Sequence, residues 1–344
     1  MEKRKIFVIA LIVFATLGSS FIFYFYQMFT GPNILVSKQP QTVFIPANST
    51  FRDVQNIMYD QDVVQDMVSF SFVSKILKYQ DNIKPGRYVF EPNMNNVEAV
   101  RKLRAGDQDP LTVTFNNVRT SLDLAEKITA NIELETEEFL KVLHDSTLFS
   151  SFGFNHENKM AMYIPNTYEV YWTIDADELI KKLHSQYKSF WNEDRKSKAA
   201  EIGMTPVEIS ILASIVQAES KVFEEQPTIA GVYINRLKRG IPLQADPTVV
   251  FAVGDFEIKR VLNEHLEIDS PYNTYKYAGL PPGPINLPEA RVIDAVLNFE
   301  KHSYLYFCAK EDFSGSHNFA KTLSEHNINA AKYQRALSRA KIFK

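Results

Sequence analysis

Uncharged, mostly apolar residues run from Ile6 to Phe29, and the polar interruptions are small or lie near the end of the run. That length crosses a bilayer as a single helix. Lys3, Arg4 and Lys5 precede it and predict a cytoplasmic N-terminus. A cleavable signal peptide would carry a shorter apolar region and a small-x-small site, whereas this run ends in FIFYFYQMF, an aromatic stretch suited to the outer interface. The pattern predicts a cytoplasmic stub and uncleaved single-pass anchor over residues 1–30. Pro32 and Pro40 bracket an expected linker, 31–42, and the remainder is expected outside the cytoplasm, on the periplasmic (extracytoplasmic) face of the plasma (inner) membrane.

After the linker the periods shorten and alternate. TVFIP reads as a strand, and NSTFRDVQNIMYD opens with cap residues and then places Phe51, Val54, Ile57 and Met58 at helical spacing. A second helix is predicted over Met67 to Tyr79. KPGRYVF gives a turn at Pro85-Gly86 and a strand, NNVEAVRKLRAG a helix stopped by Gly106, and LTVTF a closing strand. Together they predict a small α+β unit over 43–115. A larger α+β domain is expected over 116–344. TSLDLAEKIT and TEEFLKVL are short amphipathic helices, MYIPNTYEVYW is extended, and DADELIKKLHSQYKSFW is a longer helix. NEDRKSKAAEIG reads as a charged connection, Phe223 to Tyr304 as ordered loops, and YLYFCA as a core strand.

One helix carries an anomaly. Thr205, Pro206 and Glu208 supply a cap, a first-turn proline and the third-position acid of a capping box. At about 100° per residue, Ser210, Ser214, Gln217 and Lys221 share one side. Ile211, Leu212, Ile215, Val216 and Ala218 share the other. Glu219 falls between Leu212 and Ile215, on the apolar side. Such a carboxyl either meets a cation or has its pKa raised by desolvation, so an ion pair and a functional acid both fit the residue pattern. Glu224 and Glu225 follow the apolar run side by side and are expected to be solvated.

Composition narrows the chemistry. The 344 residues are 45% apolar and 23% charged with a net charge of −3, a globular balance without the basic face that nucleic acid requires. The lone Cys308 excludes an internal disulfide and a Cys-based zinc site. Seven scattered His, no HExxH, no Gly-rich phosphate loop and no GxSxG give no basis for a metal or cofactor. The segments AGVYINRLKRGIPLQADPTVVFAVG and SPYNTYKYAGLPPGPINLPEA are instead rich in amides, hydroxyls and aromatic rings, groups that suit neutral polyhydroxylated ligands. One acid beside such loops points to glycoside cleavage. Gln244, Asp246 and Thr248 are candidates for substrate contact, although Asp-Pro-Thr also serves as a turn or helix cap. Asn273, Thr274 and Tyr275 fit sugar contact or turn chemistry. His317 fits a substrate hydrogen bond or a loop contact, Asn235 and Arg236 are expected to lie on a helix and hold structure, and LPPGP is expected to form a rigid wall.

ASIVQAES, VYINRL, PLQADPTV, YNTY, GLPPGPI and SHNF, in this order, closely resemble the MltG (YceG-like) family of membrane-anchored endolytic murein transglycosylases. The resemblance is strong over 205–330. It is weaker upstream, where IPANSTFRDV and KPGRYVF resemble that family's LysM-like subdomain. It implies cleavage of peptidoglycan glycan strands between N-acetylmuramic acid and N-acetylglucosamine, leaving 1,6-anhydromuramic ends. It also implies release of growing strands beside penicillin-binding proteins and other wall-synthesis proteins, with Glu219 as the catalytic acid. Where the family often has Glu-Gly and Pro-Asp, this chain has Met160, Ala161, Pro165 and Asn166, which favours a mechanism with one acid. A hydrolytic muramidase using Asp246 as second carboxylate, and a non-enzymatic wall-binding scaffold, are the competing expectations.

Overall fold

The computed structural model describes residues 2–340. Met1 and 341–344, at the outer ends of the first and last expected segments, lie outside the described residues. The chain divides into two compact units. The first comprises Met1–Thr112 with Asn131–Leu134 and Glu169–Asp175, and the second comprises Val113–Ala130, Glu135–Tyr168 and Ala176–Lys344. The class is α+β, dominated by helix.

The first unit opens with α1 (Glu2–Thr30), which is long and apolar enough to cross a membrane. There follow β1 (Pro32–Ile34), β2 (Gln41–Ile45), α2 (Phe51–Asp60), α3 (Met67–Ile76), β3 (Gly86–Phe90), β4 (Met94–Asn95), α4 (Asn96–Ala105) and β5 (Leu111–Phe115), whose last three residues belong to the second unit. Strands β2 and β3 pair antiparallel, from Gln41 opposite Phe90 to Ile45 opposite Gly86. Their alternation turns Val43, Ile45, Tyr88 and Phe90 into the core against Val54, Met58, Phe70 and Val73. Helices α2 and α4 start in full capping boxes, Thr50 with Asp53 and Asn95 with Glu98, each cap worth about 1 kcal/mol. Gly106 ends α4 at φ 71°, in the left-handed region that glycine tolerates best.

The expected linker is not free chain. β1 pairs with β4, and Ile34 and Leu35 are buried in the first unit's core. Pro32 and Pro40 mark breaks in regular structure, and a proline says nothing about whether the intervening residues are packed.

The second unit contains α5 (Ser121–Thr129), α6 (Thr136–Leu143), α7 (Ser146–Ser151), β6 (Asn166–Val170), α8 (Ala176–Phe190), α9 (Glu193–Ile202), α10 (Pro206–Glu219), α11 (Gln226–Lys238), α12 (Asp246–Val253), α13 (Asn263–Leu266), α14 (Ala290–Leu297), β7 (Tyr306–Ala309), β8 (His317–Ala320) and α15 (Leu323–Arg339). Its core is built around α10, whose Ile209, Leu212, Ile215 and Val216 pack with Ile229, Tyr233 and Ile234 of α11 and Val292, Ile293 and Val296 of α14. The approach of α11 to the following loop is close enough to require Gly231: a Cβ there would lie 2.4 Å from the Glu300 carbonyl oxygen.

Three expectations need correction. NEDRKSKAAEIG is the helix α9, capped by Asn192 and stopped by Gly203, because cap and stop residues outweigh its thin apolar face. Phe223 to Tyr304, expected as ordered loops apart from a helix at Asn235 and Arg236, holds α11, α12 and α14. Strand β7 is half-buried rather than central, and among the described residues it pairs with β8 alone.

Candidate active site

The capping box foreseen at Thr205 is formed: Thr205 Oγ1 accepts from the Glu208 amide, and Glu208 accepts from the Thr205 amide at 2.7 Å. From Ile209 to Val216 every residue of α10 is buried. The polar side of the helix is a packed seam from Ser214 to Gln217. Ser214 Oγ donates to the Ile211 carbonyl and accepts from the Ile285 amide at 3.1 Å, while Asn286 Nδ2 donates to the Ser214 carbonyl at 2.8 Å. Gln217 donates to Asn286 Oδ1 and accepts from the Glu289 amide at 2.7 Å. The segment after Gly283 therefore runs along α10 as a rigid wall. Gly283 itself sits so tightly against the Glu157 carbonyl that no Cβ fits.

Glu219 is the last residue of α10, where the chain leaves the helix through the extended Ser220. Its side chain is partly accessible, and its Oε1 accepts a 2.6 Å hydrogen bond from the Tyr233 hydroxyl. Burial pushes the carboxyl pKa up to about 7; the Tyr233 hydrogen bond opposes that rise and the charge of Asp246 adds to it. Burial likewise holds the Tyr233 hydroxyl well above its ordinary range, with Glu219 adding to the effect. Tyr233 is therefore a fixed donor. Because it occupies Oε1, the proton of a neutral Glu219 is placed on Oε2.

Tyr233 is supported in turn. One turn along α11, Arg236 donates to the carbonyls of Pro242 and Leu305 at 2.9 Å each and to Gln244 Oε1. Asn235 donates to the carbonyls of His302 and Tyr304. Both residues hold structure, as expected. Gln244 is exposed, has φ 53°, and its amide donates to the Thr274 carbonyl. Asp246, at the start of α12, is exposed, and its Oδ1 accepts from the Tyr275 hydroxyl at 2.6 Å. Asp246 raises the pKa of both Glu219 and Tyr275, so these groups share one electrostatic neighbourhood.

The remaining candidates separate into supports and a side pair. Thr248, Asn273 and Thr274 are fully buried and committed to the protein itself. Thr274 Oγ1 accepts from the Ala245 amide and shares a 2.8 Å hydrogen bond with Thr248. Asn273 donates to the carbonyls of Leu266 and Ile268 and accepts from the Tyr275 amide. These bonds hold the loop that carries Tyr275. His317 meets Glu225, which accepts from its amide at 2.9 Å and lies 3.0 Å from its Nδ1, with only 13% and 15% of the two side chains exposed. Glu225 is thus not the solvated residue expected from its sequence position.

A cleft of about 1580 Å³ opens here, and its wall includes Gln217, Ala218, Ser220 and Lys221 on either side of Glu219, together with Asp246 and Asn286. Tyr233 was missed in the sequence because it lies on another helix. The only signal was its presence in VYINRL, a motif shared with the family.

The profile of the YceG-like family matches residues 43–332. The chain is 31% identical over 320 residues to a Bacillus subtilis protein named endolytic murein transglycosylase, covering 86% of each chain. It is 28% identical over 365 residues to a Streptococcus pneumoniae protein of the same name, covering 96% of this chain and 65% of that one. A crystal structure of a YceG-like protein from Listeria monocytogenes superposes with a TM-score of 0.56 at 30% identity, covering 84% of this chain and 98% of the other. With a family match over most of its length and motifs converging on Glu219, the chain belongs to the YceG-like family.

Proposed function

We propose that the protein is an endolytic murein transglycosylase that cleaves peptidoglycan glycan strands with Glu219 as its single proton-transfer group. The observation that carries this reading is a carboxyl at the end of a buried helix, held by one neutral donor and kept protonated up to about pH 7. Oε2 of neutral Glu219 protonates the glycosidic oxygen as C1 of the muramic residue gains oxocarbenium character. The carboxylate formed is stabilised by the Tyr233 hydrogen bond. It then takes the proton from the C6 hydroxyl of the same sugar as that oxygen closes on C1, giving the 1,6-anhydro end. The substrate supplies the nucleophile, so its positioning in the cleft carries much of the rate. Gln244, Asp246 and Tyr275 are the candidate contacts, with Asp246 and Tyr275 presented as a hydrogen-bonded pair.

The coulombic link between Asp246 and Glu219 favours one second reading, hydrolysis with Asp246 activating water. Mass spectrometry of muropeptides released from purified glycan distinguishes the two. Anhydro ends support the transglycosylase, and reducing ends support the hydrolase. A Glu219→Gln protein that forms anhydro ends at the normal rate removes Glu219 from the mechanism.

The apolar α1 supports a single-pass anchor with the catalytic unit outside the cytoplasm. The β2-α2-α3-β3 order supports a LysM-like unit between anchor and active site. Placement beside penicillin-binding proteins in wall synthesis completes the reading, and pull-down of the full chain from membranes tests it.

A further inference from the structure

Helix α3 has a second face that the core of its own unit does not cover. Phe70 and Val73 point into the core, while Val68 is 71% exposed, Phe72 39% and Ile76 48%. Spaced four apart, these three residues form one apolar stripe along the helix, with exposed Lys75 at its flank. The stripe is not isolated. The Phe72 ring lies 5.8 Å from that of Phe25 and 6.5 Å from that of Phe29, both on α1.

Contact with Phe25 sets the height of the stripe relative to a membrane. About 20 apolar residues span the hydrocarbon core, so a span that begins at Ile6 ends near Phe25. Phe72 touches α1 at that boundary. The attachment is rigid, because no free linker separates α1 from the folded unit. Asn96 Nδ2 donates to the Met28 carbonyl at 2.9 Å, Asn33 Nδ2 donates to Asn96 Oδ1 at 2.7 Å, and Asn33 also bonds the Asp66 carbonyl and Ser69 at the start of α3. Met28 and Phe29 pack on the unit's core.

We infer that α3 is a second membrane contact: its Val68-Phe72-Ile76 face lies in the outer interface of the bilayer that α1 crosses, and with α1 it fixes the orientation of the first unit on the membrane. The occupant is the lipid surface itself. An apolar face flanked by lysine suits the boundary between headgroups and acyl chains, with the Lys75 ammonium reaching the phosphates. A single helix leaves a domain free to rotate and lean, whereas a helix joined rigidly to a lateral apolar foot does not.

This inference rests on the reading of α1 as an anchor, and the experiment separates the two. In the full chain carrying Cys308→Ser, single cysteines Val68→Cys, Phe72→Cys, Ile76→Cys and, within α1, Val13→Cys are labelled with nitrobenzoxadiazole and reconstituted into phosphatidylglycerol-phosphatidylethanolamine vesicles. The expected result is blue-shifted emission at all four positions, with a lipid spin-labelled near its headgroup quenching positions 68, 72 and 76. Water-like emission at those three positions with a lipid-buried position 13 overturns the foot and leaves the anchor. Water-like emission at position 13 as well overturns both. Blue shifts at the three α3 positions that vanish on dilution of protein in lipid, without quenching by the spin-labelled lipid, assign the face to a second copy of the chain and also overturn the proposal.

Discussion

Two carboxylates of the second unit, Glu219 and Glu225, are both largely screened from water and lie six positions apart, yet they are built for different work. Glu225 is closed by three contacts from His317, two to its amide and one to its imidazole. Glu219 receives one neutral hydroxyl at Oε1, and the flanking residues open onto the cleft. Screening alone does not make a functional acid. What distinguishes Glu219 is a single neutral partner on one oxygen and a position between residues that line the cleft.

The comparison can be broken most severely at Glu219. Glu219→Gln is expected to lower turnover on purified glycan by about 10²–10⁴-fold while the fold is retained, as circular dichroism would check. The same change carries a stability signature. The folded pKa is raised from 4.5 to about 7, so the folded state binds the extra proton between those values. Stability contributed by that proton is lost as pH rises through the window, and Glu219→Gln should flatten this part of the melting temperature–pH curve.

Tyr233→Phe comes next, with turnover expected to fall by about tenfold, the worth of a hydrogen bond to a group that becomes charged. Its diagnostic readout is the pH profile. A general acid works when protonated, so wild-type activity should fall as pH rises through about 7. Removing the hydroxyl removes the one contact that lowers the Glu219 pKa, and the alkaline limb should move upward. A structural residue would lower activity without moving that limb.

Asn273→Ala tests the loop that presents Tyr275. It strips partners from two carbonyls and one amide, and a stability loss of about 1–3 kcal/mol is expected in denaturant titration, with a smaller effect on turnover than Tyr233→Phe. Glu225→Gln should perturb turnover least of the four. Its effect should appear as a lower melting temperature, because the His317 contacts are weakened; a loss of turnover matching that of Glu219→Gln would erase the contrast between the two acids.

The readable parts of the site were local. Thr205, Pro206 and Glu208 announce the start of α10 within four residues, and the helical period then places Glu219 on the apolar side. The same wheel puts Ser210 and Ser214 on a polar side, but it cannot distinguish water from the partners that satisfy them, the Pro206 carbonyl for Ser210 and the packed segment 285–286 for Ser214. Tyr233 could not be found by period at all, since it meets Glu219 only after α11 folds back on α10. Asn273 and Thr274 have the composition of sugar-binding residues and are consumed by neighbouring backbone, a choice that only burial reveals. In the first unit, the helix predicted over Met67 to Tyr79 is apolar on both sides, so its period does not separate the exposed Val68, Phe72 and Ile76 from the buried Phe70 and Val73.

The most direct test of the account is the titration of Glu219 itself, by carboxyl carbon-13 NMR on the full chain in detergent, with its resonance identified by its absence from Glu219→Gln. The account predicts a midpoint near 7 that rises further in Tyr233→Phe. A midpoint near the ordinary 4.5, unmoved by the loss of the Tyr233 hydroxyl, would contradict it.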